Sequence, residues 1–323
     1  MIEKYYNGVI EQVAGGIGNV EHNSILVRYS NDFSIWDLES VNHYKDQTDI
    51  FFTCHEFSYN KIAEAYEPYL GLIRQMFHKY CSGTLEEFME ECDVYKLQRP
   101  VFESYFEKGF CERTEQILID EVEYEQERMR NSIVTMLQKL SEIRPVVIVL
   151  NRFQLASKST MQLSNRLLQT KNKNIGIVLG VNDVQSIPEF AHEEWDAICE
   201  SMDDRNMVYH IGNAGRNMEP DVMDYYSDYE SDDGYRKLNN LVYFLDFDQA
   251  NHHLSKIERR IKFDNFTISE KKHYQLLLLQ IMVSVLQRDI AKALESCEDL
   301  EKLQDQEKEG AFYYNFWMAT SYM

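Results

Sequence analysis

Residues 145–150, Pro-Val-Val-Ile-Val-Leu, are an unbroken apolar run rich in β-branched side chains. That is the pattern of a strand covered on both faces. Asn174–Gly180 predicts a second such strand, and Ser24–Tyr29, Asp49–Cys54 and Met207–Ile211 predict three more. Helical spacing fills the intervals. From about Ser58 to Tyr80, Ile62, Ala65, Tyr69, Leu72, Ile73 and Met76 form one stripe, with Pro68 starting a new helix or bending this one. From about Glu112 to Ile143 there is no Gly or Pro, and Ile133, Leu137 and Leu140 share a face. A helix over Ser159–Thr170 carries Met161, Leu163, Leu167 and Leu168. Strands separated by helices predict a three-layer α/β fold with a parallel sheet and right-handed crossovers.

The pattern changes after Gly215. Residues 219–233 are acidic and tyrosine-bearing with no basic residue, and suit a loop or the outer turn of a lid. From Tyr235 the spacing is helical throughout: an apolar segment over Leu276–Leu286, a turn at Arg288-Asp289, a helix from Ile290 through Leu300 and Leu303, and a third from Ala311 to Met323. The expected division is residues 1–215 as an α/β domain and 216–323 as an all-α region of helical hairpins. Paired helices of this length resemble tetratricopeptide-type repeats, whose period is about 34 residues. The last helix reaches Met323 uncapped, so the chain reads as part of a longer one.

Composition narrows the function classes. The formal net charge of −21, from 54 acidic and 33 basic residues, repels phosphate backbones and anionic lipid and argues against a nucleic acid partner. No apolar run is long enough to span a bilayer and no signal peptide is evident, so a cytoplasmic protein without a membrane partner is expected. The 6 cysteines are scattered without a Cys-x-x-Cys pair and read as inert thiols.

Candidate chemistry is sparse. A phosphate-binding loop needs glycines and a lysine directly after the first strand. Arg28-Tyr-Ser-Asn-Asp-Phe-Ser-Ile35 has neither, and Ala14-Gly-Gly-Ile-Gly-Asn19 precedes the strand and reads as a turn. The strand at 145–150 ends in Asn151-Arg152, where a nucleotide-hydrolysing fold carries acids that hold magnesium and orient water. Asn151 brings no charge to a metal, and Arg152 repels one. Adjacent strand residues Cys54 and His55 point to opposite faces and form no thiol–imidazole pair. Asp248 with His252 and His253 lacks a third metal ligand. Residues 228–239 depart from a calcium loop in the placement of glycine and in Asn239 at the bidentate position. No catalytic residue and no metal site are assigned.

Several segments together resemble the signal-transduction (STAND-type) branch of the AAA-like P-loop ATPases, as found in bacterial signalling proteins with tetratricopeptide repeats. Phe51–Glu56 and Tyr66–Ile73 look like that family's second strand and following helix. Pro145–Leu150 with Asn151–Ala156 looks like its Walker B strand and tail. Ile175–Asp183 resembles the sensor strand with Asn182 near the polar sensor position, Val208–Ile211 the fifth strand, and Phe244–Leu254 the lid-to-repeat region. The resemblance implies a P-loop-NTPase-like sheet and a signalling role, in some relatives with a diguanylate cyclase output. The acids of active members are replaced by Asn151 and Arg152, and the phosphate loop is missing.

The leading expectation is a non-catalytic, ATPase-derived regulatory module with no cofactor. Its helical region meets a protein partner or a downstream domain. The alternative is a nucleotide switch with a non-standard phosphate site for ATP or ADP, in which Ser30, Asn31, Ser34, Asn151, Arg152 and Asn182 line the cofactor and Phe33 and Trp36 leave the cleft open. A third reading is an unrelated α/β enzyme acting on a small molecule at the strand ends.

Overall fold

A computed structural model describes residues 2–20, 23–30, 34–45, 49–58, 61–111, 122–170, 172–183, 187, 191–203, 207–211, 231–263 and 267–303. Five parallel strands form one sheet: β1 (Ser24–Tyr29), β2 (Phe51–Glu56), β3 (Val146–Asn151), β4 (Ile175–Asn182) and β5 (Val208–Ile211). The spatial order is β2-β3-β4-β1-β5. The chain leaves β1 across β4 and β3 toward β2, and leaves β4 across β1 toward β5. The connections therefore diverge between β4 and β1, and the strand ends there are where an open α/β sheet places its ligand crevice.

The period-two alternation of each strand splits the core in two. On one face Ile25, Val27, Tyr29, Val147, Val149 and Val178 pack against Tyr6, Val9, Ile10 and Val13 of α1 (Ile2–Gly16). α2 (Glu39–Lys45) lies beside α1 on this face and packs against β2. On the other face Leu26, Val146, Ile148, Leu150, Ile177 and Leu179 join a larger cluster. That cluster includes α3 (Tyr69–Tyr80), α5 (Arg99–Lys108), α6 (Val122–Ile143), α7 (Lys158–Gln169) and α8 (His192–Asp203). Between α3 and α5, α4 (Leu85–Glu91) opens on a capping box formed by Thr84 and Glu87.

Helix α1 was not read from the sequence. Ala14-Gly15-Gly16, expected as a turn, ends this helix, and only residues 17–19 turn. The turn needs a left-handed residue, and Gly18 supplies it at φ +82°. The helix lies close on β4 because the strand faces it with Gly176 and Gly180. A Cβ at Gly176 would stand 2.6 Å from Val13 Cγ1, and one at Gly180 would meet the Tyr6 hydroxyl and stand 2.7 Å from Asn151 Oδ1. Of the two expectations for Pro68, the start of a new helix holds, with Pro68 at the N-cap of Tyr69–Tyr80, whereas the helical reading of the residues before it does not. The residue before a proline avoids helical geometry. Ile62 and Ala65 are nevertheless buried, in turns rather than in a helix.

The remaining helices are α9 (Asp232–Tyr243), α10 (Phe247–Phe263), α11 (Glu270–Leu286) and α12 (Ile290–Lys302). Ser231, Ser269 and Asp289 cap three of them with side-chain oxygens. Leu-rich α11 is apolar on both sides: Leu276, Leu279 and Val283 join the large cluster, and Leu277, Leu278 and Ile281 pack with Cys297 and Leu300 of α12. α11 and α12 form a hairpin through the turn at Gln287–Asp289. The large cluster runs from the sheet through α9 and α10 without a break, so core and extension share one apolar interior. The expected boundary at 215/216, most of the acidic segment, and the helix expected over 311–323 lie outside the described residues. No helix among the described residues is long and apolar enough to cross a membrane.

The close approach of α1 to β4 makes a prediction. Gly180→Ala should cost about 1–3 kcal/mol by overpacking. Tyr6→Phe in the same chain should recover part of that loss. Urea denaturation of the two single variants and the double variant checks it, and strict additivity would contradict the contact.

Candidate functional site

Three strands bring polar residues to the divergence point. β1 ends at Tyr29, level with Asn182 of β4, and β3 ends at Asn151 on the other side of β4. The Tyr29 hydroxyl donates to Asn151 Oδ1 at 2.7 Å. This bond crosses β4, which carries no side chain at Gly180 to obstruct it. Tyr6, from the N-terminal part of α1, lies with its ring edge-on to Tyr29 at 6.4 Å between centroids. Tyr6, Tyr29 and Asn151 are all fully or almost fully buried, at 0%, 1% and 0% exposure. Burial pushes the Tyr6 phenol well above its ordinary range, with the nearby Tyr29 and Cys54 acting in the same direction, so it stays neutral. Asn151 Nδ2 has no hydrogen-bond partner among the described residues.

The expected cofactor-lining residues are only partly assembled. Asn151 and Asn182 do meet at the strand ends, but both face inward. Asn182 is buried, and its backbone N–H donates to the Gln154 side chain at 3.2 Å. Arg152 adopts a left-handed conformation at φ 52° and starts the short 3-10 turn Phe153–Leu155. Its guanidinium Nε lies 3.4 Å from Glu56 Oε1, with both side chains largely covered. The positive charge that a phosphate site would use is matched by a carboxylate. Arg28 likewise pairs with Asp183 at 2.8 Å. Ser34 Oγ accepts the Trp36 N–H at 3.3 Å and so caps the 3-10 turn Ile35–Asp37. Ser30 is half-buried just past β1. Asn31 and Phe33 lie outside the described residues, and Trp36 is 49% exposed and does not fill the cleft.

Among the described residues the connectivity after β1 differs from that of a phosphate loop. In a strand–loop–helix phosphate site the helix follows the strand and aims its N-terminal N–H groups at the anion. Here β1 is followed by a 3-10 turn and the seven-residue α2. The long helix against β1 and β4 precedes the strand in the chain. Its Tyr6 side chain stands at the strand ends.

The other candidates resolve as structure. Burial raises the Cys54 thiol to about 11 and lowers His55 to about 4, so the two remain neutral. His253 is buried and meets the Gln249 side chain at 3.0 Å. Burial brings His253 down to about 3 and the neighbouring His252 to about 4. Among the described residues no group of three His, Cys, Asp or Glu could hold a metal ion.

A polar junction that sequence reasoning missed lies between the β2–α3 turns, the start of α7 and the extension. Glu64 Oε2 accepts from Asn240 Nδ2 of α9 at 2.8 Å, and the Glu64 N–H donates to Glu67 Oε2 at 3.0 Å. His55 Nε2 lies 3.5 Å from Glu67 Oε1. Ser157 Oγ donates to the Glu64 carbonyl and Thr160 Oγ1 to the Glu67 carbonyl. Asp246, fully enclosed between α9 and α10, accepts the Ser159 N–H at the first turn of α7 at 2.9 Å. Lys158 pairs with Asp248 at 2.7 Å. A polar cavity of about 40 Å³ lies here, lined in part by Arg130, Lys158, Gln162 and Asp246. Burial raises Glu64 to about 7, helped by Glu67, and burial raises Glu67 as well. Glu64-x-x-Glu67 beside a proline was the only local signal. Its partners Asn240 and Asp246 are far away in sequence.

Tyr29→Phe keeps the ring and removes the hydroxyl that donates to Asn151 Oδ1. It should cost about 1–3 kcal/mol, the penalty of a buried acceptor left unpaired. Thermal and urea unfolding check this, and an unchanged midpoint would show that the bond adds nothing. No protein-family model matches the chain, and no curated protein matches it.

Proposed function

We propose that this chain is a non-catalytic regulatory and protein-interaction module built on an ATPase-like sheet. Its helical extension carries contacts to a protein partner or to a further part of its own chain. The observation that carries this reading is the Tyr6–Tyr29–Asn151 cluster across Gly180. Side chains of the protein, hydrogen-bonded and closely packed, fill the space across Gly180 between β1 and β3. The ion pairs Arg152–Glu56 and Arg28–Asp183 support it, because each strand-end arginine already faces a carboxylate. The strand order is compatible with an ATPase-like sheet, with the ends of β1 and β3 on either side of β4. The sheet retains the neighbourhoods that such chemistry uses, while the residues there hold the fold.

The partner-binding role falls to the extension. The α11–α12 hairpin buries its apolar faces internally and presents Glu295, Glu298 and Glu301 outward on α12. A partner for this face carries basic or hydrogen-bond-donating groups.

Isothermal titration with ATP and with ADP, each with magnesium, tests the reading. The expected result is no saturable heat at millimolar nucleotide and no phosphate release. Micromolar binding that is lost in Arg152→Ala would contradict it and favour a nucleotide switch.

A further inference from the structure

Three helices of the extension enclose a half-open cavity of about 40 Å³. One wall is a face of α10, where Leu254, Ile257 and Ile261 recur at helical spacing. The facing wall is α11, which contributes Leu276 and Gln280. Glu258 and Lys262 of α10 and Asp299 of α12 complete the lining. The sides are apolar, and the space holds about three water-sized positions. Gln280, at 5% exposure, is the one buried polar residue among those that line it.

The amide of Gln280 is committed on one side only. Its Nε2 donates to Ser284 Oγ at 3.1 Å and to Asn251 Oδ1 at 3.4 Å. Its Oε1 is buried and has no hydrogen-bond partner among the described residues. Buried acceptors are almost always paired, so an orphan Oε1 in the wall of a cavity suits a donor that enters there. The rim carries an excess of negative charge. Lys262 pairs with Glu258 at 2.6 Å and with Glu295 of α12 at 3.2 Å, and Lys302 pairs with Asp299 at 2.8 Å. Three carboxylates thus share two ammonium groups, in surface pairs that are weak and exchange readily. His273, also in the lining, is lowered by burial and adds no positive charge.

We propose that the cavity between α10, α11 and α12 receives an arginine side chain of a protein partner. This rests on the reading of the extension as a partner-binding region, and it names the group that region takes. Arginine has an apolar stem to lie along Leu254, Ile257, Ile261 and Leu276, and a planar head with five donors. The head gives one N–H to Gln280 Oε1 and others to Glu258 or Asp299. A lysine ammonium is a compact point charge without that fork. A tyrosine or tryptophan side chain offers a single donor and leaves the charge at the rim unmatched. The net charge of −21 draws a basic partner toward this surface.

The test is methyl nuclear magnetic resonance of the whole chain, labelled at Ile and Leu and titrated with N-acetylarginine amide. The neutral isostere N-acetylcitrulline amide is the control. The expected result is saturable shifts of the Leu254, Ile257, Ile261 and Leu276 methyls at millimolar arginine amide, with the citrulline amide about tenfold weaker. Gln280→Met should weaken arginine binding about tenfold, because the orphan acceptor is gone. Glu258→Gln should weaken it about threefold, and serves alone if Gln280→Met does not fold. Three outcomes overturn the pocket: no shift of these methyls, equal binding of the citrulline amide, or unchanged affinity in every variant that folds. Arginine binding confined to another part of the extension also overturns the pocket but leaves the partner-binding reading standing. Failure of that reading is seen separately, in the nucleotide titration.

Discussion

The close seating of α1 on β4 is the constraint on which the rest of the molecule depends. Gly176 and Gly180 leave a gap on either side of Val178 on that face of the strand, and Val13 and Tyr6 occupy the space. Interiors are packed to the density of organic crystals, so a helix seated this deeply has no freedom to shift without opening voids. Its position decides what the strand ends can do. Tyr6 is held against Tyr29 and Asn151, and these three side chains are buried beside the ends of β1 and β3.

The sheet was legible in the sequence because β3 and β4 are covered on both faces, and such strands show as unbroken apolar runs. β1 and the shorter β5 also fell where their apolar residues placed them. α1 escaped because Gly15 and Gly16 drew attention to a turn, although Tyr6, Val9, Ile10 and Val13 have the spacing of a buried helical stripe. The stripe from Ile62 to Met76 was read as helical on both sides of Pro68 because burial and helicity leave the same apolar mark. Pro68 separates buried turns from helix within it. Asn151 and Arg152 were identifiable as unlike the acids of a nucleotide-hydrolysing strand end, but the roles they have here were not. The acceptor role of Asn151 needs Tyr29, and the ion pair of Arg152 needs Glu56, and both contacts come from the strand order rather than from neighbouring residues.

The joint between core and extension follows the same logic. Apolar contact is continuous there, with Phe244 enclosed by Tyr66, Phe102 and Tyr105. Such contact gives adhesion without direction. Direction comes from a few buried polar pairs: Asp246 on the first turn of α7, Asn240 between Cys111 and Glu64, and the Gln126 amide on the Leu245 carbonyl. Each is costly to leave unpaired, so together they define one docking geometry.

The central claim is that the strand-end crevice is sealed by the protein's own side chains. The hydroxyl protons of Tyr6 and Tyr29 report on that seal directly by nuclear magnetic resonance in water. A sealed cluster predicts slow solvent exchange for both protons, with no change when magnesium and ATP are added. Rapid exchange, together with shifts of these resonances on adding nucleotide, would contradict it.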